Sequence, residues 1–140
     1  MIQKIFGAIL LCLVAGVATA SAQTEHCFYN GGLKIQQVIS FTLTKNKIEG
    51  TLESGGYQKD TSAETFDFTG TKTGNLLKIR FDGKPPYELP PHTKQIVWML
   101  NVRMLKVPTY GRNYNTGKYS TYAANYTPCK KNPWIWKDQE

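Results

Sequence analysis

Apolar residues recur at every second position along much of this chain, in runs that come in pairs with a two-residue break between them. Ile39, Phe41 and Leu43 alternate with Ser40, Thr42 and Thr44. After Lys45-Asn46, Ile48 and Leu52 carry the apolar parity while Glu49, Thr51 and Glu53 carry the polar one. A period of two is that of half-buried strands. Pairing Thr44 with Lys47 sets Leu43 opposite Ile48, Phe41 opposite Gly50 and Ile39 opposite Leu52, so every apolar residue lies on one face. Gly50 then gives the Phe41 ring room or marks a bend. A second pair runs from Thr65 to Phe81. Phe66, Phe68 and Gly70 alternate with Asp67, Thr69 and Thr71, and Leu77, Ile79 and Phe81 with Lys78 and Arg80. With the break at Thr73-Gly74 and Lys72 opposite Asn75, Phe68 faces Ile79, Phe66 faces Phe81 and Asp67 faces Arg80.

Other segments extend the pattern. Ile96, Trp98 and Leu100 oppose Val97 and Met99, and Leu105 and Val107 alternate with Lys106 until Pro108 stops them. Pro85, Pro86, Pro90 and Pro91 predict an extended, strand-free loop to Thr93, either functional or a cover for one end of the domain. Gln23 to Gly32 reads as a short opening segment ending in the turn signal Asn30-Gly31-Gly32. Tyr57-Gln58-Lys59 either continues the second strand past a bulge or forms a short strand of its own. Thr109 to Thr127 holds five tyrosines. Tyr119, Tyr122 and Tyr126 fit helical spacing, whereas Tyr122, Ala124 and Tyr126 fit a strand face. Tyrosine and threonine favour a loop followed by a final strand running into Cys129. Strands joined by short hairpins with one apolar face predict an all-β, single-domain antiparallel meander. A closed or partly closed barrel would remove its open edges, and a two-layer β-sandwich is the alternative.

The first 22 residues read differently. Lys4, the apolar run Ile5–Val17 and Ala20-Ser21-Ala22 before Gln23 have the form of a signal peptide. The expected organisation is therefore a leader over 1–22, a β domain over 23–131 and a tail over 132–140 containing Trp134-Ile135-Trp136. The apolar run is shorter than the roughly 20 residues of a spanning helix, so the mature chain has no transmembrane segment. An exported, periplasmic or extracellular setting makes a Cys27–Cys129 disulfide the default for the two remaining cysteines. Net charge is +7 for the full chain. The excess favours an anionic envelope component, but the basic residues are scattered, which argues against a nucleic-acid surface.

ISFTLTKNKIEGTL (39–52), FTGTKTGNLLKIRF (68–81) and IVWMLNVRML (96–105) together resemble the small up-and-down barrels of the avidin and lipocalin type. That resemblance implies a closed meander; a barrel of this size can enclose one small ligand or be filled by its own side chains, and Phe41, Phe66, Phe68, Phe81 and Trp98 are bulky enough to favour filling. The early Gly-x-Trp of those families is replaced by Phe28-Tyr29-Asn30-Gly31-Gly32, and no tryptophan precedes Trp98. No ligand residues are carried over from it.

Catalytic constellations are sparse, and no catalytic residue, cofactor or metal site is assigned. The histidines of the mature chain are His26 and His92. His92 and Glu88 share the proline loop and form the acid-base pair of one alternative, a small basic secreted hydrolase such as a ribonuclease. No serine lies in a Gly-x-Ser-x-Gly elbow. Gly70 to Gly74 is followed by a strand where a phosphate loop needs a helix, so it reads as a hairpin tip. The leading expectation is a non-enzymatic barrel binding a small molecule, a glycan or an envelope partner. Tyr110, Arg112, Tyr114, Tyr119, Tyr122 and Tyr126 would supply stacking faces and hydroxyls. A further alternative is an inhibitor or adhesin-type envelope protein that uses the Trp134–Trp136 tail.

Overall fold

A computed structural model describes residues 22–31, 35–56 and 63–130. The expected leader, Tyr57-Gln58-Lys59 and the Trp134–Trp136 tail lie outside the described residues. Eight strands follow in chain order: β1 Gln23–Gly31, β2 Ile35–Thr44, β3 Lys47–Gly56, β4 Glu64–Thr73, β5 Leu76–Phe81, β6 Ile96–Leu100, β7 Leu105–Arg112 and β8 Tyr119–Pro128. Each pairs antiparallel with the next, and β8 pairs back onto β1, so the meander closes into a barrel. Closure disposes of the open edges that a flat sheet of this size would present.

The β2–β3 register is the one the alternation predicts, with Thr44 opposite Lys47 and Phe41 opposite Gly50. A Cβ at Gly50 would lie 2.5 Å from Phe41 Cβ and 2.7 Å from Phe68 Cζ, so the absent side chain is what admits both rings. The β4–β5 register is offset by two residues from the expected one. Phe68 faces Phe81, Gly70 faces Ile79, and Thr73 faces Leu76. The turn is Gly74-Asn75, because the first central position takes φ +58° and glycine adopts that angle without strain. A two-residue shift keeps the parity, so the apolar face survives the error.

Two further expectations are corrected. The opening segment is a full nine-residue strand whose whole length pairs with β2. Pro108 does not stop β7, which continues to Arg112. Pro108 lies opposite Ala123. At a non-hydrogen-bonded pair position its missing N–H costs no bond to β8.

The interior is filled. Phe68 meets Trp98 and Phe81 edge to face, with centroids 5.1 and 5.6 Å apart. Ile39, Leu52, Leu77, Trp98, Leu105 and Val107 are fully buried around them. The proline loop caps one end. Tyr87 reaches inward, packs on Phe81, and its hydroxyl accepts a hydrogen bond from Trp98 Nε1 at 3.0 Å. Tyr110 N–H donates to Glu88 O at 3.0 Å, which fixes the loop to β7. At the opposite end, His26 stacks on Phe41 at 4.9 Å.

Candidate functional site at the seam of the barrel

The barrel closes through a short seam. β1 and β8 pair only at Phe28–Pro128 and Tyr29–Thr127. Just below, Cys129 N–H donates to Cys27 O at 3.0 Å and the Cys27–Cys129 disulfide joins the strands, as the cysteine count predicts. Above Tyr29 the ladder ends. There the Asn30 side chain donates to Asn125 O at 3.0 Å in place of a backbone pair. β8 runs on from there without pairing to the described residues of β1, and a cleft of about 640 Å³ lies along it.

Four segments line the cleft, Thr109 and Tyr110 of β7 being one of them. Asn30, Ile35 and Gln37 form one bank, Tyr122 to Tyr126 of β8 form the other, and Tyr87 and Glu88 of the proline loop close its end. At its floor Tyr126 is buried, and its hydroxyl donates to Gln37 Oε1. Burial pushes the Tyr126 hydroxyl well above its ordinary range, with Tyr87 and Tyr122 nearby acting in the same direction. Burial also raises Tyr87 to about 12, against a smaller lowering by the bond from Trp98. Both phenols therefore stay protonated donors at neutral pH. Ile35 and Tyr122 are more than half exposed and put apolar surface on the rim. The cleft thus combines aromatic faces, three amides, a carboxylate and neutral hydroxyls, the mixture of apolar wall and few polar groups typical of small-ligand sites.

The expected tyrosine cluster is split by strand alternation. Tyr122 and Tyr126 share the parity that faces the interior, and both line the cleft. Tyr110 and Tyr119 stack at 5.7 Å, and in the β7–β8 register Tyr119 and Arg112 are paired on the outer face. Tyr110 also borders the cleft. Tyr114 is almost wholly exposed in the turn between β7 and β8. Sequence reasoning passed over Tyr87, Asn30, Ile35 and Gln37. Gln37 carried a usable signal, being a polar residue on the parity of Ile39 and Phe41. Glu88 lines the cleft but His92 does not. His92 is exposed with φ +65°, in a turn where Thr93 Oγ1 donates to Pro90 O.

A second surface concavity, of about 580 Å³, runs over Glu25, Ser40, Thr42, Glu49 and Thr51 on the outer face of β1 to β3. Among the described residues no group of three or more His, Cys, Asp or Glu could hold a metal ion. No helix there is long and apolar enough to cross a membrane. Comparison with protein families, characterised proteins and solved structures finds no match for this chain. Its class is therefore that of a closed eight-stranded antiparallel β-barrel with a disulfide at the seam.

Proposed function

We propose that the chain is an exported binding protein in which the barrel is a rigid scaffold and the seam cleft is the binding site. One observation carries the reading: the barrel axis is packed with side chains, while an open cleft with convergent polar groups lies along β8 beyond its pairs with β1. A ligand would lay an apolar face on the Tyr122 ring and Ile35. Its polar groups would meet Glu88, Asn30, Gln37 and the Tyr126 hydroxyl. Export is supported by the leader-like residues 1–22 and agrees with the disulfide, since such bonds persist in oxidising compartments.

The test is a thermal-shift screen of glycans, amino acids, peptides and aromatic fragments on the purified protein, with Tyr122→Ala and Glu88→Gln alongside. A true ligand at 100 times its dissociation constant stabilises the fold by about 2.7 kcal/mol, a rise of roughly 10 °C in a domain of this size. Tyr122→Ala should weaken its affinity at least tenfold and Glu88→Gln severalfold. A ligand whose binding ignores both substitutions would place the site elsewhere.

A further inference from the structure

β8 has two edges, and the register shows which backbone groups face each. Pro108 cannot donate and lies opposite Ala123. Tyr110 N–H turns away from β8 to reach Glu88 O. Pro108 and Tyr110 have the same parity, so the other residues of β7, Leu105, Val107 and Thr109, make the bonds to β8. Their partners are Tyr126, Ala124 and Tyr122. The intervening residues Tyr119, Thr121, Ala123 and Asn125 therefore point their N–H and C=O groups out of the far edge, toward the cleft.

Two bonds on the other side of the seam agree with this phase. Asn125 O accepts from Asn30 Nδ2, and Cys129 N–H donates to Cys27 O. Among the described residues, that Asn30 bond is the only partner recorded for the outward backbone groups of Tyr119 to Asn125. Ser120 to Ala123 are exposed. The edge also lacks the usual defences. From Tyr119 to Thr127 there is no charged residue, no proline and no bulge in the pairing with β7.

The geometry points to an extended peptide as the occupant of the cleft, added antiparallel to β8 as a ninth strand above the end of β1. This rests on the proposed function and names the class of ligand. An antiparallel strand would continue the direction that β1 holds against β8 just below it. Each residue opposite Thr121 or Ala123 would exchange two backbone hydrogen bonds and point its side chain outward. Its neighbours would point into the recess of Ile35, Tyr122 and Tyr126, which suits apolar side chains at alternate positions. A second copy of this barrel is a poor fit. Its own β8 would bring a β7 on the far edge, where Asn30 and Ile35 already stand. The occupant must be a strand with both edges free.

The probe is the capped peptide Thr-Val-Thr-Val-Thr-Val, titrated into the full chain and followed by amide NMR and hydrogen exchange. Binding should protect the Thr121 and Ala123 amides. N-methylation of the three threonine amides, which face β8, should weaken binding at least tenfold, whereas N-methylation of the valine amides should leave it within threefold. Ala123→Pro removes one edge donor without touching a bond to β7, so it should fold like the wild type and bind at least tenfold more weakly. Ala124→Pro, which removes a bond to β7, should lower the melting temperature instead. If Ala123→Pro fails to fold, the two N-methylated peptides decide the matter on wild-type protein. Absence of peptide binding, or equal binding of both N-methylated forms, overturns strand addition. Should Tyr122→Ala abolish binding while the methylated forms bind equally, the cleft is a side-chain site and only the proposed function stands. A chain ending at Lys130 that binds where the full chain does not would make residues 131–140 the occupant and overturn the proposal.

Discussion

The disulfide is the strongest single constraint on the barrel's closure, and its removal has a calculable consequence. Cys27 and Cys129 are 102 residues apart in sequence, so the bond closes nearly the whole described chain into one loop. In the chain-entropy treatment a loop of about 100 residues loses enough freedom in the unfolded state to stabilise the fold by about 4.7 kcal/mol at 25 °C. A domain of this kind has a total stability of roughly 5–15 kcal/mol, so the bond is a large share of it. The seam has little else to replace it, since β1 and β8 pair at only two positions. The Cys27→Ala/Cys129→Ala double variant should therefore lose about 2–5 kcal/mol in urea unfolding, read as a lower midpoint. Its hydrogen exchange should separate the strands. Amides of Tyr29, Thr127 and Cys129 should lose protection first, while those of the β2–β3 hairpin keep theirs relative to the global value. A loss below about 1 kcal/mol, with Tyr29 still as protected as Ile39, would show that the seam is held by something other than the disulfide and refute the reasoning.

Other perturbations probe the filled interior. Gly50→Ala would force a methyl against the Phe41 Cβ, the Phe68 ring edge and the Ser40 carbonyl; overpacking of this kind should cost about 1–3 kcal/mol in urea unfolding. Tyr87→Phe leaves Trp98 Nε1 without its acceptor, at about 1–3 kcal/mol, and should speed tryptic cleavage after Lys94 in the loop that Tyr87 anchors. In alkaline titration at 295 nm, the same variant should lack one of the late-ionising phenols, because wild-type Tyr87 is pushed up to about 12. His26 has its pKa lowered by burial and, to a lesser extent, by Lys72. The unfolded chain therefore binds the proton more readily, and stability should fall as pH drops through 6.5 toward the folded value. Substituting His26→Phe should flatten that part of the melting curve against pH, and equal pH profiles would contradict the assignment.

The sequence revealed the fold wherever alternation alone decides register, and failed where a single backbone detail decides. In β2–β3, turn length and parity agree on one pairing, and the structure has it. In β4–β5, parity permits both the expected pairing and the observed one two residues away; the positive φ of Gly74 chooses between them. Pro108 is a reliable stop for a strand bonded on both sides, but its position opposite Ala123 needs no N–H toward β8. β1 was obscured because His26, Phe28 and Asn30 mix stacking, packing and polar roles on its inner parity. The site was harder still. Its tyrosines belong to a legible run, but alternation divides them between two faces. Ile35, Gln37 and Glu88 meet them only because the barrel closes.

The central claim is that binding occurs at the seam cleft and not inside the barrel. Amide and tyrosine-ring NMR of the wild-type protein, titrated with a fragment panel that spans sugars, capped peptides and aromatic acids, tests it most directly. The shifts should converge on Asn30, Ile35, Glu88, Tyr122 and Tyr126 whatever the chemistry of the fragment. Shifts centred on Phe68, Trp98 and Leu105 would mean that the interior opens to ligands and would contradict the claim.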